Sequence, residues 1–263
     1  MNTSPQPAYR IQTIIKQSVL NVSSIRSTLW VGILSFIFLV DITSLIISYL
    51  ILHYGYQNKL STVAHLNALL IAQLIACFIS APLFAGIINS IINHSKQSAI
   101  EIRAFFQYYK TPWRYSCCFF IISVAANTGT IVADILIHLG YLQSHALQYT
   151  LITLPLALSA SLLTLAIPLL TQNPNISVYS ALTQSCHAML KNGRFIQFMV
   201  SFLLLLLITG LSLIPLLVGI MSRHTLWVTV GSSVTIYSLF WIAPSLFSIH
   251  AANYCLLADK ETD

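Results

Sequence analysis

The chain has 263 residues, of which 57% are hydrophobic and 7% charged, with a mean hydropathy of +0.81 and a formal net charge of +6. This composition excludes a water-soluble globular domain and a disordered chain, and it leaves no stretch long enough for a soluble catalytic domain. The basic balance reads as positively charged loops on one side of a membrane, not as a nucleic-acid surface.

In chain order, the leader places Ile11, Ile15, Val19 and Val22 near helical spacing with Arg10 and Lys16 outside the stripe, which predicts a short helix on the membrane surface. Its scattered charges and the long apolar run behind it exclude a removable signal peptide, so the first span is expected to be an uncleaved anchor. Residues 29–53 form that span, long enough to cross a hydrocarbon core of roughly 30 Å as a helix. Only a helix keeps its backbone groups paired in lipid. A second span at 66–92 contains Pro82 and Gly86; the proline predicts a kink, and Ala81, Ala85 and Gly86 would admit a close neighbour.

The connection that follows sets Ile102, Phe105, Phe106, Tyr109 and Trp113 on one helical face and Arg103, Gln107, Lys110 and Arg114 on another. That pattern predicts an interfacial helix on an anionic leaflet, with Arg103, Lys110 and Arg114 as candidate headgroup contacts. Further spans are expected at 115–139, 147–170, 195–220 and 226–257, with kinks at Pro168 and Pro244. Between the fourth and fifth, Val178, Leu182, Cys186 and Met189 share a face and predict another surface helix. The expected fold class is all-α: one polytopic membrane helical bundle of six transmembrane helices with interfacial amphipathic helices.

Six spans put both termini on one side. That side holds ten of the twelve Lys and Arg residues, the other only Lys59 and Arg223, so N-terminus and C-terminus are both expected in the cytoplasm. KQSVLNVSSI at 16–25 resembles KQSAIEIRAF at 96–105 and, more weakly, TQSCHAMLKN at 183–192. Each precedes a pair of spans whose second member holds Pro82, Pro168 or Pro244. Three parallel units are expected, near 1–95, 96–176 and 177–263, each a surface helix followed by a hairpin.

Few residues could carry chemistry. Asp41 lies about 18 Å into the first span, where a carboxylate is costly unless paired or hydrated. With Gln73 and Asn127 it makes a candidate intramembrane polar site, read either as a proton or cation site facing the bundle interior or as a carboxyl hydrogen-bonded to a neighbouring Ser or Thr. The five cysteines include no CxxC pair, and the eight histidines match no metal-ligand spacing, so no metal or cofactor is expected. Nucleotide-binding and hydrolase motifs are lacking, which argues against an enzyme.

Pro82, Leu83 and Gly86 closing the second span, the helix before Trp113, and the segment SALTQSCHAMLKNGRF from Ser180 to Phe195 carry a resemblance over most of the length. The chain resembles the YciC-like bacterial inner-membrane proteins and the related membrane domains attached to some glycerophosphodiester phosphodiesterases. The resemblance implies a multi-pass protein of the bacterial cytoplasmic membrane, with a function that is undetermined in that family but connected with the envelope, and no transferable catalytic residue. The leading expectation is a non-catalytic protein that binds lipid or assists membrane-protein assembly. Its partners would be anionic lipids on the cytoplasmic side, a membrane-protein partner or a second copy, and no nucleic acid. A small-molecule or ion carrier using Asp41 is the alternative, and an intramembrane enzyme comes third.

Overall fold

Uninterrupted apolar runs can satisfy their backbone only as helices in lipid, and the chain folds accordingly. A computed structural model describes residues 10–56, 62–94, 100–141, 144–222 and 225–258, and among these the secondary structure is helical throughout. The helices are α1 (Ile11–Ser23), α2 (Arg26–Tyr56), α3 (Thr62–His94), α4 (Arg103–Phe106), α5 (Pro112–His138), α6 (His145–Leu162), α7 (Ala166–Gln172), α8 (Val178–Leu190), α9 (Arg194–Leu211), α10 (Ile214–Ser222) and α11 (Thr225–Ala258). Six stretches are long and apolar enough to cross a membrane: Arg26–Ile51, Leu70–His94, Pro112–Ile137, Leu147–Gln172, Arg194–Val218 and Val228–Leu257. The protein is therefore a multi-pass membrane protein built as an all-α bundle.

Three clusters of buried residues form the core. One joins Leu29 and Ile33 of α2 to Leu83 through Ile92 of α3 and to Phe105 of α4. A second joins Ile14 of α1, Met189 of α8, Phe198 and Leu205 of α9, and Ile249 of α11. The third gathers Ala85, Tyr115, Cys118, Ala166, Ile167, Leu170 and Ala181. All three lie where α2, α5 and α9 begin and where α3, α7 and α11 end. The short helices α1, α4 and α8 pack into that same end of the bundle.

Prolines interrupt the spans unequally. α3 and α11 run unbroken through Pro82 and Pro244, whereas the fourth span breaks at 163–165, just ahead of Pro168, and the fifth at 212–213, just ahead of Pro215. A proline removes the hydrogen bond to the carbonyl four residues back and crowds that turn. Groups from other helices answer the exposed backbone. The Trp30 indole N–H donates to the Phe240 carbonyl, four residues before Pro244, at 3.0 Å. Tyr109 donates to Ile79 O, three before Pro82, at 3.3 Å, and Thr235 to Ser212 O, three before Pro215, at 3.0 Å. At the α6–α7 break Ser185 does double duty: its Oγ accepts from Leu165 N–H at 3.1 Å and donates to Leu162 O at 2.7 Å.

That use of Ser185 corrects the expected face of the surface helix. Of the expected face Val178, Leu182, Cys186 and Met189, Met189 is fully buried and the other three are half-buried, and the most buried stripe, Ala181, Ser185 and Met189, lies one position round. α1 behaves alike: Ile14, Ser18, Asn21 and Val22 are buried, while Val19 is 40% exposed. The expected interfacial helix before Trp113 is also corrected. One turn of α4 passes into a 3₁₀ turn at Gln107–Lys110, and Thr111, at φ −135° and ψ 63°, leaves the helix before Pro112 opens α5. A residue preceding proline is sterically pushed out of the α region, so one continuous face cannot form there. Phe105 turns into the core, while Trp113 is 73% exposed.

Candidate functional site

The residues singled out from sequence separate in the fold. Asp41 is exposed on the outer surface of α2, not in the bundle interior where it was expected, and Gln73 is exposed on α3. Asn127 is half-buried, with its amide donating to Ser123 O one turn back at 2.8 Å, which is local helix bonding. The three do not form a common buried site. Lys59, Lys96, Arg223, Lys260 and residues 96–99 of the middle repeat fall outside the described residues.

The proposed headgroup contacts divide as well. Arg103 and Lys110 are exposed beside the short α4 segment. Arg114 instead points back across the bundle: its guanidinium donates to the carbonyls of Asn173, at 2.8 Å, and of Pro174 and Ile176. These carbonyls follow the C-terminus of α7, where helix acceptors lack intrahelical partners and a cation is favoured. Arg114 thus ties the start of α5 to the turn after α7, a structural role that spacing alone could not reveal. Nearby, burial pushes the Tyr108 phenol well above its ordinary pKa, reinforced by Tyr115 and opposed by a hydrogen bond from Gln107. Burial alone raises that of Tyr109. Both stay neutral and serve as donors, Tyr108 to Thr171 O at 3.5 Å.

A cavity of about 780 Å³ opens at the core end of the bundle among α7, α8, α9 and α11. Leu165, Leu169 and Leu257 supply apolar lining. Thr183, Gln184, His187, Lys191 and Arg194, from α8 to the start of α9, supply polar and basic lining, together with Asn173 and Tyr254. None of the described lining residues is acidic. Gly193 adopts φ +65°, a left-handed conformation that glycine takes without strain, and it turns the chain from the 3₁₀ turn Lys191–Gly193 into α9. That turn sets Arg194 and the N-terminal end of α9 at the cavity, and the helix dipole adds to the positive potential of the side chains.

A smaller cavity of about 250 Å³ lies between the end of α3 and α4, lined by Asn89, Ser90, Asn93, His94, Glu101 and Gln107 among others. No group of three or more His, Cys, Asp or Glu residues among those described could hold a metal ion. Cys186, on α8, has its thiol pKa raised by burial and stays protonated.

Sequence reasoning passed over His187, Lys191 and Arg194. Their i, i+4, i+7 spacing in sequence was the available signal, though the structure divides them among the end of α8, the 3₁₀ turn Lys191–Gly193 and the start of α9. No family model, curated protein or solved structure matches the chain.

Proposed function

We propose that this protein is a non-catalytic component of the bacterial cytoplasmic membrane that holds an anionic lipid headgroup in the basic cavity between α7, α8, α9 and α11. The observation that carries the reading is that one cavity is lined both by Leu165, Leu169 and Leu257, from α7 and α11, and by the basic His187, Lys191 and Arg194, from α8 to the start of α9. A phosphodiester on an acyl chain would meet both kinds of lining. Each Lys or Arg near an anionic headgroup contributes about 1 kcal/mol. With both termini in the cytoplasm, the cavity would open toward the leaflet richest in anionic lipid. The outward position of Asp41 takes away the residue on which a carrier path would rest.

The three-unit organisation belongs to the same reading. The aligned serines of KQS and TQS, Ser18 and Ser185, are both fully buried at the centre of their surface helices. Such helices, each introducing a hairpin, would ring the cytoplasmic end of the bundle.

Native mass spectrometry of the full chain, in nanodiscs of mixed zwitterionic and anionic phospholipid, tests the function. Wild type is expected to retain an anionic phospholipid after detergent exchange, and the Lys191→Gln, Arg194→Gln double variant to bind it roughly thirtyfold more weakly. Equal retention of both lipid classes, or an unchanged double variant, would overturn the reading.

A further inference from the structure

Asp41 poses a problem that the cavity does not solve. It stands fifteen residues after Arg26 and ten before Ile51, the limits of the first span, or roughly 22 and 15 Å from its two ends at 1.5 Å per residue. At that depth its exposed carboxyl faces acyl chains, and no hydrogen bond or ion pair joins it to another described residue. Ionisable groups in a span are costly there unless they meet a partner.

The neighbours of Asp41 on the surface of α2 are arranged for one. Leu34, Phe38, Leu45 and Tyr49 are 56%, 67%, 71% and 63% exposed, and with Asp41 they recur at intervals of four, three, four and four residues. Over Leu34, Phe38, Asp41 and Leu45 the steps alternate between four and three, the spacing of a seam on which a second helix packs knobs into holes, with Tyr49 one turn beyond it, and one polar residue within such a seam fixes partner and register. Charge selects the partner. Within the described spans of this chain, Lys and Arg stand at the span starts, as Arg26, Arg114 and Arg194, and none lies at mid-depth. A second copy would therefore set carboxyl against carboxyl, whereas a basic residue at mid-depth would neutralise it.

We propose that the Leu34–Phe38–Asp41–Leu45–Tyr49 face of α2 docks a transmembrane helix of another membrane protein, one that carries a single Lys or Arg near the middle of its span. The proposal is independent of the lipid cavity, which lies on other helices.

The test reconstitutes the full chain, with a photo-crosslinking residue at position 38, into zwitterionic vesicles. The probe is a synthetic poly-leucine transmembrane peptide with one central lysine. Crosslinking is expected to exceed that to the same peptide without lysine by roughly tenfold, and to lose that margin in Asp41→Leu. Leu45→Ala, which leaves the core untouched, is expected to weaken it in the same direction. An unchanged melting profile of each variant separates lost docking from lost fold. Equal crosslinking of both peptides, insensitivity to Asp41→Leu, or crosslinking to a second copy in place of the peptide would each overturn the proposal.

Discussion

The end of the bundle that gathers α1, α4 and α8 buries side chains as large as Phe105 and Phe198 completely, whereas toward the hairpin turns Leu45, Tyr149, Leu207 and Ile236 lie exposed. Close backbone approach occurs at both ends, at Gly86 against the Phe105 backbone in the packed end and within two hairpins toward the turns, where large buried side chains do not accompany it. A Cβ on Gly129 of α5 would collide with the Leu151 carbonyl of α6, and one on Gly231 of α11 with the Pro215 carbonyl of α10. The difference follows from the solvent. Lipid tails are as apolar as leucine, so bare apolar surface costs nothing there and helices associate by fit. At the other end, surface helices and charged residues meet the interface, and burying large side chains removes apolar area from water.

The sharpest way to break that contrast is to remove a large side chain from the packed end. Phe105→Ala is expected to destabilise the whole bundle by about 4 kcal/mol, read as the shift in detergent-induced unfolding followed by circular dichroism. A smaller loss, about 2 kcal/mol, is expected from Gly129→Ala, because a methyl group forces α5 and α6 apart. Hydrogen exchange should confine that effect to this hairpin; faster exchange in α3 or α11 would mean the two ends are one cooperative unit. Trp30→Phe keeps the stacking on Phe240, now 5.9 Å between ring centroids, but deletes the bond to the Phe240 carbonyl, and about 1 kcal/mol is expected from the same unfolding measurement.

Six spans were legible in the sequence because each is a long apolar run, and length against bilayer thickness is a strong constraint. The orientation of α2 was not. That helix is apolar on every side, so no stripe marks the inward face, and Asp41 was expected inside when it lies outside. Hydrophobicity found part of the inward faces of α1 and α8, Val22 and Met189, but not their centres at Ser18 and Ser185; at Ser185 the backbone gap at the α6–α7 break outweighs apolar content. The basic lining of the cavity was visible as a spacing, but its apolar lining comes from α7 and α11, and no local pattern joins them. Thr111–Pro112, by contrast, was a readable stop in the segment read as one helix.

The backbone repairs beside the prolines carry a chronology. Ser185 is synthesised 20 residues after Leu165 and 23 after Leu162, so the gap in the fourth span stays open until α8 has emerged. Thr235 likewise follows Ser212 by 23 residues. Trp30, however, precedes Phe240 by 210 residues, and Arg26, whose guanidinium sits 3.8 Å from the centre of the Trp241 ring, waits just as long. The first span must hold its place in the bilayer while some 210 further residues are made before this neighbour arrives. Loss of the sixth span would leave the Tyr109 and Ser185 repairs intact, but it would strand the Trp30 indole and take away the donor to Ser212 O, so the sixth span closes the backbone of the fifth as well as anchoring the first.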